Sequence, residues 1–114
     1  VLYRRDYWDK IAGDRLPRPL ALVAFDAAVN NGGNRAATWL QEAAEVTADG
    51  IIGPITLGAI SRIAARPDGE ISLCAEFLAR RLHFMVALPT WSTFGSGWAR
   101  RLFALPYQSL ALNT

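Results

Sequence analysis

The sequence contains few of the side chains that perform metal or nucleophilic chemistry. Its 114 residues include one cysteine and one histidine, Cys74 and His83. Zinc amidases and peptidases need several His, Cys or acidic ligands that converge on one ion, which a single histidine cannot supply. A Cys–His pair is excluded too, because nine residues at about 100° each place the two side chains on opposite faces of a helix. The sequence therefore predicts no metal site and no cofactor.

Disulfides and membrane-spanning segments are also lacking. A single cysteine cannot form an internal disulfide, so the fold does not depend on an oxidising compartment. No apolar run approaches membrane-spanning length, and no signal-like segment opens the sequence. We therefore expect no membrane partner, and a role outside the cytoplasm would require export by another route.

Charged residues are scarce, at 19% of the chain, whereas hydrophobic residues make up 52%. This composition excludes a disordered chain, and 114 residues suffice for one core, so residues 1–114 are predicted to form a single domain. The net charge is only +2, but Arg80, Arg81, Arg100 and Arg101 lie in the last third. A weakly basic face there suits an anionic polymer such as cell wall or nucleic acid. An ordinary solvated face explains the same charges.

The apolar pattern is helical throughout, and no alternating β pattern occurs. We predict an all-α domain of about five to six helices, separated by glycine and proline breaks. In the longest of them, Ile71, Cys74, Leu78, Leu82 and Met85 recur at three- and four-residue steps and are predicted to face the core. The predicted helices cover residues 2–11, 20–29, 34–46, 54–65, 70–88 and 97–105. The helix at 20–29 is predicted to be buried on most sides. The next helix is predicted to have Asn34 as its N-cap and to turn an inner stripe toward the core, formed by Ala36, Leu40 and Ala44 with Trp39 and Ala43 beside it.

The central segment, residues 25–60, has the strongest local signals. A nearly all-apolar helix ends in NNGG at residues 30–33, and a second helix carries Leu40-Gln41. An Asp49-Gly50 turn and a Gly53-Pro54 helix start follow. Such residues define turns and helix ends through their backbone preferences, so the segment is predicted to be a rigid helix–turn–helix–turn–helix unit.

These motifs carry a resemblance to known proteins. Leu40-Gln41 followed by DGIIGPIT at residues 49–56 resembles the signature of small helical peptidoglycan-binding modules. A longer pattern over residues 3–103 resembles the family 108 glycoside hydrolases, phage-type N-acetylmuramidases with a fused C-terminal peptidoglycan-recognition segment. Its further motifs are Tyr7-Trp8, GDRLP at 13–17, FDAAVN at 25–30, and Gly97-Trp98 with Arg101.

The resemblance implies a lysozyme-like fold and peptidoglycan as the partner, with no nucleic-acid or membrane partner. In that family the catalytic acid is a Glu in a Glu-Gly-Gly segment upstream of the Tyr-Trp motif, and this sequence contains no Glu-Gly-Gly. We therefore assign no catalytic residue here, and expect the acid from an N-terminal segment or another chain. An endolysin of a bacteriophage would act at the cell wall or in the periplasm, after export or phage-mediated release.

Asp26 is the first candidate site residue, because it is a lone carboxylate on an apolar helix. An unpaired buried charge is costly, so it needs a partner. It either lies at the rim of a saccharide groove, or pairs with an arginine or with the amides of residues 30–33. Asn30 is the second candidate, since the short side chains of that turn would leave backbone amides open to a sugar N-acetyl group. Helix termination alone explains the turn equally well.

Gln41, Asp49 and Thr56 are the residues that the peptidoglycan-module resemblance singles out. Asp49 is suited to accept hydrogen bonds from the amides of residues 51–53, and Thr56 to tie down the next helix. Turn architecture explains Asp49 and Gly50. Gln41, expected at a helix surface, is retained as a candidate ligand contact.

Trp98 and Arg101 complete the candidate set. Trp8, Trp39 and Trp91 are also present, and most tryptophans are expected in the core. Trp98 follows a Ser-Gly pair that leaves its ring room to stack on a sugar. Arg101, three residues later, would meet a peptide-stem carboxylate. Alternatively, Trp98 closes the end of the helical bundle.

The sequence thus predicts the peptidoglycan-binding part of a lysozyme-like cell-wall hydrolase, inactive without its N-terminal catalytic segment. Two alternatives remain. The chain is an active peptidoglycan glycosidase that uses its own carboxylate, such as Asp26, or it is a structural or interaction module of a phage particle.

Overall fold

The computed structural model describes residues 2–88 and residue 100. It contains five α-helices and one short 3-10 helix, and no strand within that part of the chain, which confirms the all-α class. The predicted last helix, residues 97–105, lies outside the described residues apart from residue 100. The helices are α1 (Leu2–Lys10), the 3-10 helix (Gly13–Arg15), α2 (Arg18–Asn31), α3 (Gly33–Ala43), α4 (Pro54–Ala64) and α5 (Gly69–Val86).

Helix α2 lies at the centre of the described bundle and contacts α1, α3 and α5. Pro19 lies in its first turn, where a missing N–H costs nothing. The predicted burial on most sides is confirmed. The buried residues of α2 are Pro19, Leu20, Ala21, Val23, Ala24, Ala27 and Ala28.

Helices α2 and α3 meet at a single glycine. Gly32 has φ +102°, and its amide donates to the carbonyl of Ala28 at 3.0 Å. It closes α2 and caps α3 together, so α3 begins one residue before the predicted cap, Asn34. The predicted inner stripe of α3 is confirmed, since Ala36, Trp39, Leu40, Ala43 and Ala44 are all buried.

Helix α5 packs against α2, α3 and α4, but the predicted inward stripe was only partly right. Ile71 is 49% exposed and Leu82 is only half-buried. The buried row instead follows a strict four-residue step, which is the ridge that a helix presents to its neighbours. Its members are Leu73, Phe77, Arg81 and Met85, with Cys74 beside them.

Among the described residues, none of the helices is both long and apolar enough to cross a membrane.

Candidate functional site

The loop between α3 and α4 is held by one side chain, Gln41. Its Nε2 donates to Asp49 Oδ1 at 2.8 Å, to the carbonyl oxygen of Ile51 at 2.9 Å and to Thr56 Oγ1 at 3.2 Å. Its Oε1 accepts from the amide of Gly50 at 2.8 Å. An amide nitrogen has two hydrogens for these three acceptors, so one hydrogen is shared. One glutamine therefore joins the turn, the loop and the first turn of α4.

Asp49 completes the turn from the other side. Its Oδ1 also accepts from the amide of Ile51 at 3.0 Å, as the sequence predicts. The backbone N–H of Ile51 and, second, the amide of Gln41 hold the pKa of this carboxyl below its ordinary value. Asp49 therefore carries a negative charge at neutral pH.

Gly50 is favoured at this turn chiefly by its backbone angle. Its φ of +83° is a left-handed conformation that disfavours other residues. A Cβ there would also lie 2.5 Å from Asn34 Oδ1, at the start of α3. The DG pair thus brings the loop against α3, where Gln41 can reach it.

A pocket of about 230 Å³ opens above this hydrogen-bonded floor. Its polar lining includes Gln41, Asp49 and Thr56, and Val46 and Thr47 also line it. The pocket is therefore a concave site with a polar base and a negative charge.

Two exposed isoleucines line this pocket, one from the loop and one from α4. Ile51 is 70% and Ile55 80% exposed, and both line the pocket together with Pro54. Single exposed apolar residues are ordinary, but a group of them beside a concave polar base indicates a binding surface. Sequence reasoning did not single out these isoleucines, although a large apolar residue beside each of two turn motifs was a usable signal.

Gln41 differs from its predicted environment. The sequence placed it at a helix surface, but only 1% of the residue is exposed. Its amide is already engaged by the loop, so its principal role in this structure is to build the pocket. Direct contact between Gln41 and a ligand remains a prediction.

Asp26 pairs with an arginine, which was the predicted alternative to a place at the rim of a saccharide groove. Arg81 Nη1 lies 2.7 Å from Asp26 Oδ2, and Arg81 Nε donates to Asn31 Oδ1 at 2.7 Å. Arg81 is fully buried, while 14% of the Asp26 side chain is exposed. This charge pair joins α2 to α5. A role for Asp26 at a ligand is not required by this geometry and stays a prediction.

Asn30 is exposed at the end of α2, and its Nδ2 donates to the carbonyl of Asp26 at 2.8 Å. The amide of Gly32, which was predicted to be open to a ligand, already donates to Ala28. Asn30 itself remains accessible, but it lies on α2 and not in the loop that forms the pocket. The predicted Trp98 and Arg101 lie outside the described residues, as does Trp91.

The two described tryptophans pack within the protein. Trp8 contacts Phe25 edge-on, with ring centres 5.6 Å apart, and its Nε1 donates to Asp14 Oδ1 at 2.9 Å. Trp39 is 8% exposed and contacts the rings of Phe77 and Phe84. Both therefore contribute to packing, in keeping with the expectation for most tryptophans.

A second concavity, of about 450 Å³, lies between α3 and α5. Trp39, Phe84 and Arg80 line it. The Arg80 guanidinium pairs with Glu76 at 2.7 Å and with Glu42 at 3.5 Å. Because its cation is already neutralised by two carboxylates, this surface is less suited to an anionic ligand than the charge count suggests.

Metal and cysteine chemistry find no support in the described part of the chain. No group of three or more His, Cys, Asp or Glu side chains there is placed to hold a metal ion. Cys74 is buried and His83 exposed on the same helix, as predicted from their spacing. Burial and, second, the charge of Glu70 raise the pKa of the Cys74 thiol to about 12, so it is not a nucleophile at neutral pH.

Comparison with known proteins agrees with the motifs. The family model described as Glycosyl hydrolase 108 matches residues 1–32, and the one described as Predicted Peptidoglycan domain matches residues 35–103. The solved structure of SagA from Brucella abortus superposes with a TM-score of 0.85 at 37% identity, over 95% of this chain and 60% of the SagA chain. No curated protein sequence matches the chain.

The matches confirm the resemblance predicted from the motifs and define a helical domain related to cell-wall hydrolases. The chain belongs to the Predicted Peptidoglycan domain family, whose model covers α3, the pocket loop, α4 and α5.

Proposed function

We propose that this chain is the peptidoglycan-binding part of a muramidase-type cell-wall hydrolase. The observation that carries the proposal is the match of the Predicted Peptidoglycan domain to residues 35–103. That range contains every residue of the Gln41–Asp49–Thr56 cluster and the exposed Ile51 and Ile55. The family resemblance and the concave site therefore lie in the same part of the chain.

The pocket supports binding rather than cleavage. Cleavage of a glycosidic bond uses two carboxyl groups about 5–9.5 Å apart across the sugar, one of which donates a proton. In the pocket, Asp49 is the carboxylate, and its low pKa makes it a poor proton donor. Asp26 is held in an ion pair by the buried Arg81, which favours its anionic form. We propose that the catalytic acid belongs to a segment outside residues 1–114.

Binding to peptidoglycan implies action at the cell wall or in the periplasm, with an endolysin of phage origin as one setting. A sacculus pull-down, run beside a turbidity-clearing assay, tests the proposal. We expect the 114-residue protein to bind sacculi without clearing them. Clearing that is abolished by one Asp or Glu substitution would instead show an active glycosidase.

The third outcome, neither binding nor clearing, would favour a structural module of a phage particle. A control variant, Glu42→Gln, changes an exposed carboxylate outside the pocket. It should bind sacculi as the unmodified protein does. Stronger binding by this control, which is one charge more positive, would indicate non-specific charge attraction rather than a site.

A further inference from the structure

The charge of the pocket is opposite to the one expected for a surface that meets carboxylated peptides. The sequence pointed to arginines as the ligand contacts, whereas the pocket presents Asp49 and, among its described lining residues, no cation. Both hydrogen bonds from other residues to this carboxylate end on Oδ1, with Gln41 and Ile51 as donors. Its second oxygen, Oδ2, accepts no hydrogen bond from another described residue, and the side chain is exposed.

The walls of the pocket define the rest of the ligand. Ile51, Pro54 and Ile55 line the same pocket as Asp49, and the two isoleucines are 70% and 80% exposed. A chemical group that matches both features has an apolar chain and a hydrogen-bond-donating, positively charged end. N-acetylated sugars have hydroxyl and amide donors, but they carry no cation to pair with the carboxylate.

The volume of the pocket also favours an aliphatic side chain over a sugar. Pockets that enclose drug-sized ligands measure about 300–1,000 Å³, and this one measures about 230 Å³. It is too small to enclose a disaccharide, but an extended aliphatic side chain fits within such a volume.

We propose that this pocket binds the side-chain ammonium of a diamino acid in the peptide stem of peptidoglycan. The ammonium donates to Asp49 Oδ2, and its methylene chain lies along Ile51, Pro54 and Ile55. The inference rests on the proposed function, because peptidoglycan is the polymer that supplies this group. The pocket then recognises the peptide stem of the polymer and not the glycan.

The test compares two soluble muropeptides by calorimetric titration. One is a disaccharide-tripeptide with a free side-chain amine on its terminal diamino acid, and the other is the same molecule N-acetylated at that amine. Because exposed ion pairs are weak, we expect the free amine to bind about 3- to 10-fold more tightly at low salt, with a smaller ratio at high salt.

Asp49→Asn provides the matched variant. Asparagine keeps the Oδ1 that accepts from Gln41 and Ile51, and it removes the charge. In this variant the preference for the free amine should disappear, whereas Glu42→Gln should retain it. Ile55→Ser, at an 80% exposed position, should weaken the binding of both muropeptides without lowering the melting temperature. This second variant keeps the pocket testable if Asp49→Asn fails to fold.

The outcomes distinguish the inference from the proposed function. Equal affinity for the two muropeptides, or binding of peptide-free glycan strands as tightly as muropeptide, would overturn the ammonium pocket. Sacculus binding would persist in either case, so the proposed function would stand. Absence of binding to both sacculi and muropeptides would overturn the two together.

Discussion

Gln41→Leu tests the hydrogen-bonded base of the pocket directly. Leucine is close to glutamine in volume and has no amide, so packing is largely kept while four hydrogen bonds are lost. Two of these end on exposed residues, Asp49 and Ile51, where water can replace the amide. The other two involve the hydroxyl of Thr56, a residue only 4% exposed, and the amide of the buried Gly50.

The expected cost follows from the two buried groups. A buried polar group left without its partner costs about 1–3 kcal/mol, whereas an accessible one costs little. Two such groups, partly offset by the transfer of a leucine side chain into the core, predict a loss of about 2–4 kcal/mol in the free energy of unfolding. Urea titrations followed by circular dichroism and by tryptophan fluorescence measure it. Glu42→Gln, at the adjacent exposed position, should change the free energy by less than about 0.5 kcal/mol.

Gln41→Glu separates the donor from the acceptor. It keeps the oxygen that receives the Gly50 amide, but places a second carboxyl against Asp49. Repulsion raises the pKa of the introduced carboxyl in the folded state. Its destabilising effect is therefore full above that raised pKa, and it is lost as the pH falls from there to the unfolded pKa.

For Gln41→Leu, a loss below about 1 kcal/mol in the free energy of unfolding, at an unchanged denaturant slope, would refute the reasoning.

Three further predictions concern the core. Asp26→Asn should lower the free energy of unfolding by about 3–5 kcal/mol, because it removes the carboxylate that is paired with the fully buried Arg81 guanidinium. Arg81→Met should cost only about 1–3 kcal/mol, because the Asp26 side chain is partly exposed to water; denaturation losses in the reverse order would contradict the ion-pair account. Trp39→Ala should cost about 3–5 kcal/mol, as a large-to-small change in the core does, and an unchanged melting temperature would place that ring outside the core. The Cys74 thiol, with its pKa raised to about 12, should react with a disulfide reagent at pH 8 about 100-fold more slowly in the folded than in the unfolded protein. Since the folded state holds this proton more tightly, stability should fall as pH rises from the unfolded thiol pKa toward 12.

Much of the fold follows from local signals in the sequence. The start of α4 at Pro54 agrees with prediction, because proline restricts the backbone whatever surrounds it. The inner stripe of α3 was also correct, since Ala36, Leu40 and Ala44 recur at four-residue steps, which place them on one face of a helix.

The sequence was less informative where tertiary contacts decide the outcome. Arg81 lies on the four-residue row of α5 that faces the core, but its charge concealed this from a reading based on apolar residues. Asp26 and Asn31, both on α2, supply acceptors that make a buried guanidinium acceptable there. Gln41 was misplaced for a similar reason, because its four partners lie 8 to 15 residues away on a loop whose path the sequence does not reveal.

The residues that hold the loop also shape the pocket, and this decides which positions can test the proposed binding. Gln41 and Thr56 are buried and hold the loop, so substitutions there change the shape of the pocket as well as any ligand contact. Ile51 and Ile55 are mostly exposed, and surface substitutions away from special features usually change stability by less than about 0.5 kcal/mol. If Ile55→Ser reduces muropeptide binding at an unchanged melting temperature, the loss belongs to the ligand contact and not to the fold. The two exposed isoleucines have little part in packing the core. They are therefore the positions that best distinguish a binding surface from a loop that only stabilises the fold.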